Sequence, residues 1–431
     1  MGSVYAGNFD RNHLGGVFFL ERRRNSTESK AMLLFVLLLG LAPLLLFKYS
    51  HFAVSNLIAP VGISFFTFQA LGYFIDVYRK KISPEKNLFR YAAFVSFFPT
   101  IVSGPINRAD SLLAQMKREE GIRFSEDNLK RGLMKALYGA FIKLVIADRL
   151  AVLTDTVFGS YRAYGGLILF FAAICYTIQI YCDFSSYSLM AVGVSEMLGY
   201  HVVENFKAPY FAESIQEFWR RWHISLSTWF RDYVYISMGG NRCSGVRRNL
   251  NLFVTFLVSG LWHGANWTFV FWGGLHGIYQ IVGNVTKPFR CAWIKRLGIR
   301  EDCFSFRFGK RLLVFLCVAF AWIFFRMDTI TDAFIYIGRM FTRPEIWDLF
   351  QGEIYLLGLN KLQMDILGPA FFLFLAVDYM KYKKEIDIDE FLLRQNFPFR
   401  CLFITGMFLY TFVFGMYGPE FNAQDFIYFH F

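Results

Sequence analysis

Charge is what this sequence has least of. Only 18% of its 431 residues are Asp, Glu, Lys or Arg, against 55% hydrophobic and 20% aromatic, and mean hydropathy is +0.36. Soluble domains carry roughly 25% charged residues, and apolar runs of about 20 residues cross a bilayer. A soluble enzyme is excluded, and an all-α polytopic membrane protein is expected. The seven cysteines (Cys175, Cys182, Cys243, Cys291, Cys303, Cys317 and Cys401) are scattered, with no C-x-x-C pair and no ligand spacing to the histidines. Neither a metal centre nor a disulfide framework is expected. A cleavable signal peptide is not expected either, because residues 1–30 are polar and basic apart from the short apolar patch at 17–20. Internal repeats and low-complexity tracts are missing as well. A transporter built from matching halves is thereby disfavoured.

The charge that is present is basic, with a net value of +12. It gathers at residues 22–24, 79–81, 247–248, 287–311 and 381–384, between apolar stretches. That punctuation follows the positive-inside rule and excludes a nucleic-acid partner. Residues 287–311, with eight Lys or Arg against Glu301 and Asp302, read as a cytoplasmic loop. Apolar spans are expected over 31–47, 57–75, 91–102, 165–181, 250–261, 267–282, 312–325, 368–377 and 401–416. Several are too short to cross alone, and about nine to eleven membrane-embedded helices are expected in one domain.

Two segments are amphipathic. Residues 130–153 mix Lys135, Lys143, Asp148 and Arg149 with aliphatics and read as a helix at the interface or along a cavity. Residues 217–235 place Arg220, His223, Ser227 and Arg231 on one helical face. Gly239-Gly240-Asn241-Arg242 then forms a turn, and a second Trp-His pair follows in Ser259-Gly260-Leu261-Trp262-His263-Gly264-Ala265-Asn266-Trp267. Ionisable groups in lipid-compatible segments are functional candidates by default. Folding back at the turn would bring His223 and His263 to one cavity.

These two segments, with Ala59–Gln69, Tyr73–Arg79, Ser103-Gly104-Pro105-Ile106, Tyr181-Cys182-Asp183-Phe184-Ser185 and Phe426-Ile427-Tyr428-Phe429, resemble the membrane-bound O-acyltransferase family. Within it the chain is similar to the bacterial alginate O-acetyltransferase branch. The resemblance implies a ring or funnel of helices around a thinned centre, with His263 as signature histidine and His223 as a second important one. It implies acyl transfer to a hydroxyl from a thioester donor reached on the cytoplasmic side, in the bacterial cytoplasmic membrane.

Three departures stand out. The branch carries about two further hydrophobic helices before the match begins, so residues 1–30 are expected to replace helices that are missing, ahead of an acyltransferase domain over 31–431. Ser186 and Leu189 stand where the branch has Gly and Asp, and the chain ends Phe429-His430-Phe431 instead of Phe-Gln-Phe.

O-acylation needs a base beside the acceptor hydroxyl, and a reference pKa near 6.5 suits histidine to that role. His263 is the candidate base, set against a buried histidine satisfied within the bundle. Arg220 and Arg231 would keep His223 neutral, leaving it to orient the acceptor or relay a proton. Arg220, Arg221 and Arg231 suit the phosphates of a coenzyme A or phosphopantetheine donor, or equally lipid head groups, with Asp232 pairing locally. Trp262, Asn266 or backbone N–H groups at Gly264 are candidate oxyanion donors. Asp183 reads as a cavity residue or a helix-end cap, and His276 as a packing residue.

No metal or tightly bound cofactor is called for, only an acyl thioester co-substrate such as acetyl-CoA or an acyl carrier protein. The acceptor would be an extracytoplasmic polysaccharide or an accessory acetyltransferase partner. A D-alanyl transferase of teichoic acid and an inactive truncated homologue remain as alternatives.

Overall fold

The computed structural model describes residues 27–49, 62–118, 125–343 and 352–417, together with 345 and 347. Residues 1–26 and 418–431, which include the terminal Phe426–Phe431 motif, lie outside the described residues, as do 59–61 and His51. Among the described residues there is no strand. The chain divides into two compact units, residues 1–133 with 191–204 and residues 134–190 with 205–431. Of the three points where the chain passes between units, 133/134 and 190/191 fall inside helices and 204/205 falls in a loop.

In the first unit, α1 (Thr27–Tyr49) meets α2 (Ile63–Tyr78) at Gly40, where a Cβ would stand 2.9 Å from the Leu71 side chain. The Asn87 side chain caps α3 (Leu88–Val95) by accepting from the Arg90 N–H at 3.1 Å. Tyr73, Phe74, Tyr91 and Phe94 fill the core between them. The span expected over 91–102 is cut to this short helix. The Ser96 hydroxyl turns back onto the Ala92 carbonyl at 2.7 Å, and Pro99 keeps the chain from resuming the helix.

The second unit is arranged on α6 (Gly166–Met197), which follows α4 (Glu126–Phe141) and α5 (Asp148–Gly159). Five helices among the described residues are long and apolar enough to cross a membrane: 30–48 within α1, then α6, α11 (Phe304–Arg326), α13 (Lys361–Lys384) and α14 (Phe397–Phe414). The chain is a multi-pass membrane protein. In α6, 72% of the most apolar window is buried, against 11% in α14, so α6 is a core helix and α14 faces outward. The remaining helices are α7 (Ile215–Arg221), α8 (Ile224–Phe230), α9 (Gly245–His263), α10 (Trp267–Arg296) and α12 (Ile330–Thr342).

Two sequence expectations change here. The stretch 287–311 is not a loop: α10 runs through Pro288 to Arg296, and α11 begins at Phe304. A proline removes one N–H and kinks a helix without having to end it where neighbours hold both sides. Nor is 130–153 an interfacial helix. The π segment Ile142–Ala147 joins α4 to α5 inside the unit, and the charges point inward in pairs.

Lys143 Nζ lies 2.7 Å from Asp148 and 2.6 Å from Asp183, and Lys135 lies 3.6 Å from Asp389. The π segment also leaves carbonyls open to outside donors. Arg149 donates to the Val145 carbonyl at 2.9 Å and to Phe414, and the Met416 N–H donates to Leu144 at 2.9 Å. These bonds tie the end of α14 to the unit's core.

Removing one partner from a buried charge cluster leaves the other charges uncompensated. Lys143→Met is therefore expected to destabilise the protein by about 3–5 kcal/mol. The thermal midpoint in detergent measures this, and an unchanged midpoint would show that the cluster does not support the fold.

Candidate active site

The polar helix expected over 217–235 is broken at His223. Ser214 caps α7 by accepting from the Glu217 N–H at 3.1 Å. Two residues after the helix, His223 sits at φ 42° and ψ 55°, a left-handed conformation that costs a side-chain-bearing residue energy. Asn205 holds the kink. Its carbonyl accepts from the Ile224 N–H at 3.0 Å, and its Oδ1 accepts from the Ser225 hydroxyl at 2.6 Å. On the other side of the kink, Lys207 N–H donates to the Arg221 carbonyl at 3.0 Å.

The kink turns the His223 ring inward, 1% exposed, edge-on to Phe184 at 4.7 Å between centroids. Arg220, His223, Ser227 and Arg231 therefore do not share a face: the first and last two line a cavity, and His223 is not among its lining residues. Burial, and not the neighbouring arginines, pushes the His223 pKa down to about 3 and keeps the ring neutral.

The second histidine ends α9. Two glycines set the distance between α9 and α10: a Cβ on Gly260 would stand 2.3 Å from the Phe269 carbonyl oxygen, and one on Gly273 would stand 2.3 Å from that of Phe256. Only glycine lets the backbones approach this closely. The contact presses His263, 4% exposed, perpendicular to Trp272 at 5.1 Å and against Phe325 at 5.1 Å.

Trp262 lies beside both histidines, 4.8 Å from His263 and 6.2 Å from His223 between centroids. The turn at Gly239 and Gly240, both at positive φ, does fold the two segments together, and the histidines meet a shared indole. His276 is not on the same helix as His263, because the chain breaks at Gly264. It packs on the other contact of Trp272 at 5.1 Å and accepts from Trp219 Nε1 at 3.2 Å.

A cavity of about 970 Å³ opens beside this layer. Arg220, Arg231, Arg248 and Lys287 line it, and no carboxylate does among the described residues. Arg231 pairs with Asp232 at 2.8 Å, whereas the side chains of Arg220, Arg248 and Lys287 have no ion pair or hydrogen bond among the described residues. Ser259, also on the cavity wall, lies one turn before His263 on the same face of α9. Phe325 leads directly into Arg326, Met327 and Asp328, which line a second cavity of about 430 Å³ with Tyr161, Arg162 and Asp332.

Other sequence candidates are committed elsewhere. Arg221 pairs with Glu217 at 2.8 Å and lies over the Tyr382 ring, outside the cavity. Asn266 caps α10, accepting from Thr268 N–H at 3.1 Å, while its Nδ2 donates to the Asp328 carbonyl at 2.5 Å. Its amide oxygen and one of its two N–H donors are thus engaged in the loop between α9 and α10. Asp183 lies within α6 on Lys143, lining neither cavity and capping no helix.

The sequence reading missed Arg248, Ser259, Gln280, Asn284 and Lys287 on the cavity wall. Their signal was polar helical spacing within apolar stretches: Arg248, Leu252, Thr255 and Ser259 fall on one face of α9, and Gln280, Asn284 and Lys287 on one face of α10.

Residues 79–325 match the family described as MBOAT, membrane-bound O-acyltransferase. A probable alginate O-acetylase, AlgI, of Pseudomonas syringae pv. tomato is 39% identical over 320 residues, 74% of this chain and 58% of that protein. The peptidoglycan O-acetyltransferase of Helicobacter pylori is 34% identical over 312 residues, 66% of this chain and 57% of that protein. The teichoic acid D-alanyltransferase of Bacillus subtilis is 30% identical over 252 residues, 56% of this chain and 63% of that protein. The chain thus spans less than two thirds of the length of these relatives. Both kinked-helix and glycine-packed segments, with His223 and His263, fall inside the matched stretch, and the chain belongs to the membrane-bound O-acyltransferase family.

Proposed function

We propose that this chain is an O-acetyltransferase of the bacterial cytoplasmic membrane, with acetyl-CoA as donor and His263 as general base. The observation that carries this reading is the cation-lined cavity whose wall residue Ser259 sits one turn before the buried His263. Its volume, about 970 Å³, is at the upper end of the roughly 300–1,000 Å³ typical of small-molecule sites. Arg220, Arg248 and Lys287, which have no carboxylate partner among the described residues, suit the phosphates of coenzyme A, and the acyl thioester would extend along α9 toward the histidine. Names of relatives support the acetyl group, since two of the three proteins above are called O-acetylases or O-acetyltransferases.

In the proposed step His263 takes the proton from an acceptor hydroxyl as its oxygen attacks the thioester carbonyl. The tetrahedral oxyanion collapses, the new ester C–O bond remains, and the thiolate leaves and is reprotonated. The developing oxyanion falls to the Trp262 indole N–H, to backbone N–H groups beyond Gly264 or to the second N–H of the Asn266 amide. His223, neutral and in contact with the same indole, positions it. The acceptor is an extracytoplasmic polysaccharide hydroxyl or a relay partner, entering through the second cavity behind Phe325. A D-alanyl group delivered by a carrier protein is the competing donor, consistent with the likeness to a teichoic acid D-alanyltransferase.

Transfer from radiolabelled acetyl-CoA into wall or exopolysaccharide, in membranes with matched protein levels, tests the reading. His263→Ala is expected to lower the rate by about 10²–10⁴-fold, the usual contribution of a general base. Labelling that survives the substitution would remove His263 from the chemistry, and labelling absent from both proteins would favour a carrier-bound donor. Arg248→Ala combined with Lys287→Ala is expected to raise the KM for acetyl-CoA about tenfold or more with kcat nearly kept, the signature of lost uniform binding. An unchanged KM would place the donor outside this cavity.

A further inference from the structure

We infer that the hydrogen bond from Trp219 to His276 is a positioning device for the transfer step, holding the Trp219 indole as the wall between the donor cavity and the ring layer around His263. The inference rests on the assignment of that cavity to the acyl donor. Trp219 belongs to α7 and lines the cavity, yet it is only 8% exposed, with its ring packed against Phe256, Trp272 and His276. On the inner side its Nε1 donates to His276 Nδ1 at 3.2 Å.

His276 is fully buried on α10, fixed by the same glycine-mediated approach that places His263. The Trp219 ring meets Trp272 at 5.7 Å, and Trp272 stands perpendicular to His263 at 5.1 Å. One continuous line of rings runs from the cavity wall to the proposed base.

The bond decides which way the indole faces. An indole N–H only donates, so His276 Nδ1 must present a lone pair and the ring proton sits on Nε2. With this acceptor present, Trp219 keeps its N–H inside and its ring edge on Trp272. Without it, a buried donor would be left unsatisfied, and the indole gains by turning its N–H to the water of the cavity. The ring would then fill space the donor needs and leave Trp272 unsupported. A purely structural bond would change stability and leave donor binding alone.

Three variants of the full chain in nanodiscs separate these outcomes. Trp219→Phe keeps an aromatic ring without the N–H, His276→Leu removes the acceptor, and His276→Asn restores an acceptor oxygen near the Nδ1 position. Trp219→Phe and His276→Leu are expected to lower kcat/KM for acetyl-CoA about tenfold, chiefly through KM, while His276→Asn stays within about threefold of the wild type. Equal impairment of the Leu and Asn variants, or wild-type kinetics in Trp219→Phe, overturns the inference.

A second readout does not depend on the donor. In protein labelled with 5-fluorotryptophan, the fluorine resonance missing from Trp219→Phe identifies Trp219. It is expected to shift toward the solvent-exposed position in His276→Leu and to hold in His276→Asn. A resonance unmoved in His276→Leu overturns the inference. If the wild type transfers nothing from acetyl-CoA while the resonance shifts as expected, the donor assignment fails and the positioning bond stands.

Discussion

The backbone contact between α9 and α10 is the constraint from which the site follows. Gly260 against Phe269 and Gly273 against Phe256 bring two helix backbones within the space a single methyl group would take. Once that distance is fixed, the rings of Trp272, His263 and His276 have one arrangement, because interiors pack at solid density and leave no room for another. The break at Gly264 serves the same end. It stops α9 at His263, so the imidazole lies at a helix terminus, one turn beyond the cavity-lining Ser259.

Several charged groups among the described residues are spent on one another, and others are gathered at the cavity. Lys143 is enclosed by two carboxylates, and Glu213 by Arg307, Lys310 and Arg311 at 2.6–2.9 Å. Burial would raise the Glu213 pKa, but its three basic partners outweigh that and hold the carboxyl down at about 2. Such paired clusters offset part of the cost of charge in an apolar surround. Arg220, Arg248 and Lys287 have no such partner, and that contrast is what marks the cavity as a place for an incoming anion.

Helical class and membrane character were legible because they rest on composition and on long apolar runs such as 165–181 and 312–325, both of which lie within observed helices. The extent of α6 was not legible: Asp183 and Ser186 look like a helix end, and only the distant Lys143 makes Asp183 tolerable mid-helix. The importance of both Trp-His pairs was legible from chemistry and resemblance. Their geometry was not, since helical periodicity assumes an unbroken helix and cannot foresee a left-handed residue at 223 pinned by Asn205. Lys287 was misplaced for a related reason, because a proline and a run of basic residues look alike in a loop and in a helix that leaves the core.

The unbalanced positive charge of the cavity has a consequence for what occupies it between turnovers. A field from Arg220, Arg248 and Lys287 with no carboxylate to close it draws mobile anions from the adjoining water. If the cavity takes the proposed coenzyme A donor, its arrival would be an ion exchange, in which small counter-ions return to solution for one ligand bound. Part of the driving force is the entropy of that release, and it shrinks as ionic strength rises and the displaced ions gain less by leaving. On the proposed donor assignment, small cellular anions would compete with the donor for this cavity.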